Sequence, residues 1–272
     1  MSLDRSHVYG RCWDGHQMLL HESTAERASG LMSWVRQGLA NNEKVIWSQD
    51  PAEPEEVSLT GILSRNGMDA AGLLAAGALA RLPLGEYFRP GARAGMVERA
   101  LAEGYRAVRI TCAAAAALTV QTWPAYMRVE REIGVDCQAF PLRSLCQYQQ
   151  TAMREDQLRE VTGIHLRGIR HSLLTTAAGR AGVALAGEVD VSNETVLTYV
   201  VQAAVASAGS ALYLELSQLR FLSLAGCQLL DSGTRPFRAR GGRVVLSGVS
   251  GSVALVIGLT GLDKQPGVVV AD

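Results

Sequence analysis

Glu43-Lys44-Val45-Ile46-Trp47-Ser48 has an apolar centre of strand length and reads as a buried strand. Just ahead of it, Glu26 to Leu39 places Leu31, Trp34, Val35 and Leu39 near one helical face, which makes a helix-strand unit. The unit repeats further along the chain. Arg93 to Gly104 sets Met96, Val97, Ala100 and Leu101 at helical spacing with Gly104 as a C-terminal stop, and Tyr105 to Cys112 follows as a strand. Pro124 at a first helical position, then Ala125 to Ile133 and Gly134, predict a helix stopped by glycine. Leu142 to Tyr148 then reads as a short strand. The alternation predicts an α/β fold in which neighbouring strands run parallel.

Residues 154 to 162 read as a charged amphipathic helix, after which the composition shifts at His171 to short apolar strands and Gly-rich turns. Two domains are expected, 1–170 and 171–272. In the second, Leu173 to Thr176 and Gly182 to Ala186 read as strands, and Ser192 as the N-cap of a helix from Asn193 to Ala208. Ala211 to Leu216 reads as a central strand because it alternates too little to be half exposed. Ala225 to Arg240 follows as a helix interrupted by Gly233 and Pro236. Val244 to Leu246 then reads as a strand and Ser250 to Leu259 as a last helix, completing the order ββαβαβα.

A chain of 272 residues with 48% hydrophobic content can bury two ordinary cores. Its 26 basic and 26 acidic residues balance, and they balance in each half separately, so direct nucleic-acid binding lacks its electrostatic driving force. No run approaches the ~20 apolar residues that span a bilayer, and Met1 to Gly10 has no apolar block for a signal peptide. No membrane contact and a cytoplasmic location are therefore expected. Five cysteines, odd in number and without a Cys-x-x-Cys pair, read as reduced core thiols. His7, Cys12, His16, His21 and Glu22 do not make a metal site on spacing, since the spacing of five from His16 to His21 does not bring both to one helical face. Cys146 with His165 is the nearest approach to a nucleophile pair. It lacks a recognisable orienting carboxylate, so it reads as a core thiol and a packed histidine. No metal, cofactor or catalytic residue is expected. Trp13, Trp34, Trp47 and Trp123 all lie in the first half and offer aromatic surface to line a crevice, but Trp34 and Trp47 sit within predicted elements, which favours core packing.

Four stretches of the second domain together carry a resemblance. They are Gly187-Glu188-Val189-Asp190-Val191, Leu212-Tyr213-Leu214-Glu215-Leu216-Ser217, Phe221-Leu222-Ser223-Leu224-Ala225-Gly226, and Gly241-Gly242-Arg243-Val244-Val245-Leu246 with Leu259-Thr260-Gly261-Leu262. In this order and spacing the domain resembles the STAS family of sulfate transporters and anti-sigma factor antagonists. The resemblance implies a protein-binding surface at the start of the helix near Ala225, comprising Leu222, Ser223, Leu224, Ala225, Gly226 and Cys227. Phosphorylated relatives carry Asp-Ser-Ser/Thr-Gly where this chain has Ser223, Leu224, Ala225 and Gly226. Ala225 has no hydroxyl, so the usual phosphorylation switch is not expected here, and Ser223 reads as a helix cap.

The first domain resembles the MEDS sensory domain, related to KaiC/RecA-like ATPases, through His16 with Leu19 and Leu20, Gly38-Leu39, Glu43 to Ile46, Gly104 with Arg109, Tyr126 to Glu130, Leu145-Cys146-Gln147-Tyr148, and His165. It departs from that family at Gln149, Leu166 and Ala113. The resemblance implies a degenerate RecA/KaiC-like parallel sheet. A Walker A loop is missing: the chain has two lysines, Lys44 and Lys264, and His21 to Glu26, where active relatives carry the loop, has no glycine and adds acidic side chains that repel a triphosphate. A crevice at the sheet's C-terminal edge, lined by Glu22, Ser23, Thr24, Cys146, Tyr148 and His165, is left for an unknown small ligand. The expected function is a non-enzymatic signalling adaptor of the anti-sigma-factor-antagonist kind. Its STAS domain would bind an anti-sigma factor or switch-protein kinase under control of the sensory domain. The alternative is a small-molecule or nucleotide sensor whose STAS domain serves assembly, including homo-oligomers.

Overall fold

The computed structural model describes residues 15–271 and comprises two compact units, residues 1–153 and 154–272. The first contains β1 (His16–His21), α1 (Thr24–Ala40), β2 (Glu43–Ser48), α2 (Leu59–Arg65), α3 (Ala70–Ala75), β3 (Leu79–Arg81), α4 (Leu84–Tyr87), α5 (Ala92–Ala102), β4 (Ala107–Ala113), α6 (Ala114–Ala117), α7 (Trp123–Ala139) and β5 (Leu142–Gln149). Its strands are all parallel, in the order β1-β5-β4-β2-β3. Both faces are covered, which is why β2 and β4 are buried almost throughout and show no alternation of burial. On one face Leu19, Val45, Trp47 and Leu145 pack with Leu31, Trp34 and Val35 of α1. The opposite face of β1 and β5 carries α7.

The α1 face encloses an ion pair. Arg109 is 2% exposed, and its guanidinium is bonded to the Glu43 carboxylate and donates to the Trp34 carbonyl at 2.7 Å while lying 5.0 Å from the Trp34 ring centre. Arg143 reaches the other Glu43 oxygen at 3.3 Å. Removing either partner would strand a desolvated charge. Gly38 is part of the same arrangement, since a Cβ there would come within 2.5 Å of Arg109 Cδ. At the other end of β1, His21 is buried, and burial, with the charge of Arg27, lowers its pKa to about 4.

The second unit contains α8 (Glu155–Ile164), β6 (Ile169–Arg170), β7 (Leu174–Ala178), β8 (Val183–Val189), α9 (Glu194–Ser207), β9 (Ala211–Leu222), α10 (Leu224–Ala239), β10 (Arg243–Ser247), α11 (Gly251–Thr260) and β11 (Val268–Ala271). The order is β6-β7-β8-β9-β10-β11, antiparallel from β6 to β8 and parallel from β8 to β11. The expected α/β class and the central position of the strand beginning at Ala211 are both found. The compact unit starts earlier than the composition change near residue 170, because α8 packs on α9.

Several local expectations change. Helix α7 runs through Gly134 to Ala139. Helix α10 is continuous through Gly233 and Pro236, and Gly233 serves close packing, since a Cβ there would come 2.8 Å from Val201 Cγ1 on α9. Asn193, not Ser192, occupies the cap position of α9. Its amide donates to the Glu188 carbonyl and accepts from the Asp190 amide, while Ser192 bonds to the Asp190 carboxylate. Strand β9 continues to Leu222, six residues beyond the expected end, and β11 adds a strand after the last expected helix. No helix among the described residues is long and apolar enough to cross a membrane.

The unfolded chain protonates His21 near 6.5 and the folded chain only near 4, so the stability present above pH 6.5 should fall by up to about 3 kcal/mol as the pH drops through that window. Denaturant melts at stepped pH should show this slope in the wild type and a shallower one in His21→Gln. In the same assay Gly38→Ala should destabilise by roughly 1–3 kcal/mol by crowding Arg109. Gly163→Ala, on exposed open helix surface, should instead stabilise by up to about 1 kcal/mol.

Candidate functional site

Parallel register places His16 beside Ser144, Met18 beside Cys146 and Leu20 beside Tyr148 on adjacent strands β1 and β5. Alternation along β5 turns Leu145 and Gln147 to the α1 face, and Ser144, Cys146 and Tyr148 to the α7 face. Helix α7 lays Tyr126, Glu130, Ile133 and Cys137 over them at helical spacing. Most of that stripe is apolar, yet it includes a carboxylate: Glu130 is 1% exposed.

Three ligand-type atoms converge there. Glu130 Oε2 lies 3.0 Å from His16 Nε2 and accepts from the Cys146 thiol at 3.2 Å, and Cys146 Sγ lies 3.5 Å from His16 Nε2. Ser144 Oγ is 3.5 Å from the same sulfur. Tyr126 and Tyr148 meet hydroxyl to hydroxyl at 2.8 Å, and both phenols also bond to Glu130. Gly134, one turn beyond Glu130, lets α7 approach this closely, since a Cβ there would stand 3.3 Å from His16 Nδ1. Burial, reinforced by the Glu130 charge, pushes the Cys146 thiol and both phenols well above their usual range. The thiol is therefore held protonated, the reverse of the shift that activates a cysteine nucleophile.

The residues expected to line one crevice are divided between the two faces of this sheet. Cys146 and Tyr148 lie beneath α7, whereas Glu22, Ser23 and Thr24 form the exposed start of α1, on the other face. Ser23 caps α1: its hydroxyl accepts from the Glu26 amide at 3.2 Å. The Glu26 carboxylate reaches back to the amides of Glu22, at 2.7 Å, and Ser23, at 3.3 Å. The helix N-terminus where a phosphate would sit therefore already holds a carboxylate. His165 belongs to the second unit, where it ends α8, buried, with Nδ1 2.8 Å from the Val161 carbonyl. Within the first unit the imidazole facing Cys146 is that of His16. Of the histidine and cysteine group considered from spacing, His7 and Cys12, like Trp13, lie outside the described residues. His16 and His21 stand at opposite ends of β1.

Sequence reasoning overlooked the role of Glu130. Its signal was a carboxylate on an apolar helical stripe, four residues from Tyr126 and seven from Cys137.

In the second unit the start of α10 also separates the expected residues. Leu222 and Cys227 are fully buried and cannot touch a partner, which corrects their place in the expected surface. Gly226 is buried too. Ser223 caps α10, accepting from the Gly226 amide at 2.9 Å, as expected. Leu224 is 57% exposed, and Phe221 is exposed just before it. Helix α11 is tied alongside by Ser252 Oγ donating to the Arg220 carbonyl at 2.8 Å and by a 3.0 Å contact between Cys227 Sγ and Thr260 Oγ1. It buries Val253 and Ile257 and turns Leu255 and Leu259 outward, the latter 72% exposed.

Comparison with known proteins divides the chain later, between residues 166 and 173. A search of curated proteins finds no match. Among solved structures, the anti-sigma factor antagonist SpoIIAA in its unphosphorylated form is similar at 19% identity, over 36% of this chain and 87% of that one, with a TM-score of 0.28. The family model "Mlab, STAS domain" matches residues 173–271, the stretch holding β7 to β11. The model for MEDS, the methanogen/methylotroph, DcmR sensory domain, matches residues 15–166, which include His16, Glu130 and Cys146. The chain belongs to the MEDS family and carries a STAS domain behind its MEDS domain.

Proposed function

We propose that this protein is a non-enzymatic signalling adaptor whose STAS domain binds an anti-sigma factor or switch-protein kinase, with the MEDS domain as regulator. The observation that carries the reading is the exposed apolar face at the start of α10. Phe221 and Leu224 on one side, and Leu255 and Leu259 on the bonded neighbour α11, present large side chains to solvent. A helix that is apolar on both its buried and its outer side, as α11 is, suits a partner surface. Ala225 stands where phosphorylated relatives carry a hydroxyl, and the oxygen of Ser223 is engaged as a cap. Control therefore falls to the sensory domain, through a shift between binding-competent and incompetent states.

The absence of catalysis in this reading is supported by the first unit. Its buried thiol is held protonated beneath α7, and the helix N-terminus that could seat a nucleotide phosphate is filled by Glu26. An assembly role for the STAS domain, including homo-oligomers, would draw on the same apolar face.

Leu224→Glu tests the surface without disturbing the core, since Leu224 is exposed and a carboxylate in a first helical turn suits the helix dipole. Full-length protein from the source lysate should co-purify an anti-sigma factor or switch kinase identified by mass spectrometry. The variant should lose at least about tenfold in recovery of that partner, as for an interface anchor. Equal recovery would remove the proposed surface; self-association as the sole species, lost in the variant, would favour the assembly role.

A further inference from the structure

We infer that His16, Glu130 and Cys146 form a binding site for a divalent cation of the zinc class inside the MEDS domain. The inference does not depend on the partner proposed for the STAS domain.

The chemistry of the three donors is the first argument. An imidazole nitrogen, a thiol sulfur and a carboxylate oxygen are the ligand types that zinc takes, and the mixed set disfavours calcium or magnesium, which prefer oxygen throughout. Geometry is the second. In a tetrahedral site, with metal–sulfur bonds of about 2.3 Å and metal–nitrogen or metal–oxygen bonds of about 2.0–2.1 Å, neighbouring ligand atoms stand about 3.3–3.6 Å apart. The three edges measured here are 3.5, 3.2 and 3.0 Å, so outward shifts of about 0.4 Å or less would convert the hydrogen-bonded triangle into a coordinating face. One atom of each side chain points at the same centre, and it is the imidazole Nε2 that does so.

The surroundings match a site built to hold its ligands still. His16 and Cys146 are fixed by the β1–β5 register, Glu130 by the inner stripe of α7, and the approach of His16 by the missing side chain at Gly134. Tyr126 and Tyr148 hold the carboxylate by hydrogen bonds, as outer-shell donors do around ligating carboxylates. A dication would also compensate the desolvated charge of Glu130 more fully than neutral donors can. On binding, a metal–sulfur bond forms, the Cys146 S–H bond breaks, and the proton leaves to solvent. This unit supplies three of the four ligands that a tetrahedral cation takes.

The test uses the full-length chain, stripped with chelator and titrated with Co2+ as an optical probe, then with Zn2+ in competition. The wild type should take up one equivalent of cobalt with a thiolate-to-cobalt charge-transfer band and tetrahedral ligand-field bands, both erased by zinc. Cys146→Ser should lose the charge-transfer band. His16→Gln and Glu130→Gln should each weaken zinc by more than the roughly 10–100-fold typical of outer-shell changes. A variant with Cys112, Cys137 and Cys227 all changed to Ala should keep the spectrum. Circular dichroism identifies any variant that fails to fold, and His16→Asn, at the least buried ligand, serves as the replacement for such a case. No stoichiometric uptake by the wild type, or a charge-transfer band that survives Cys146→Ser, would overturn the site and leave the cluster a hydrogen-bonded one.

Discussion

A carboxylate at the centre of an α/β layer has to be answered by donors, and Glu130 is placed where desolvation is nearly complete. That constraint accounts for the surrounding choices. His16 and Cys146 approach from two neighbouring strands, Tyr126 from one turn back along the same helix, and Tyr148 from two residues further along β5. The strand residues are placed by the parallel pairing of β1 with β5 and Tyr126 by the helix that covers that pair, so the cluster and the fold specify one another. The other face of the same sheet solves a similar problem differently. There Glu43 meets two guanidinium groups, those of Arg109 and Arg143. One face is thus closed by charge pairing, while the other keeps soft and titratable groups together.

Much of this was legible in the chain. The helix from Glu26 and the strand from Glu43 follow from period and apolar run alone, because a sheet covered on both sides demands uninterrupted apolar strands. The cap at Ser223 was readable for the same kind of local reason. What escaped was tertiary. Gly134 and Gly233 look like stops in a sequence, yet both lie inside helices, at points where a neighbouring side chain comes too close for a Cβ. Strand β9 was cut short because its inward positions, Leu212, Leu214 and Leu216, lose their phase at Ser217 and Gln218. The register against β8 slips twice, between Ala184 and Ala186 and between Gly187 and Glu188, and a bulged strand has no constant period to read. Glu130 escaped because a charged residue on a helix is ordinarily taken for surface, and its role appears only in contacts to other elements, His16 on β1 114 residues away and Cys146 on β5 16 residues away.

The two halves differ in where they keep their unusual groups. The first unit buries a carboxylate, an imidazole and a thiol against one another. The STAS unit keeps its unusual apolar groups outside, on α11 and at the start of α10. An interior of the first kind discriminates among small species by geometry and charge, and an exterior of the second kind recognises a macromolecule by shape and apolar contact.

The carboxylate of Glu26 at the start of α1 carries one further consequence. Because it is tethered three residues from the cap, it competes for those amides as if it were present at roughly millimolar local concentration or higher. A phosphate in solution would have to displace a neighbour that never diffuses away. A helix N-terminus can thus be closed to free anions without reshaping the backbone, by giving the helix a resident counter-ion of its own.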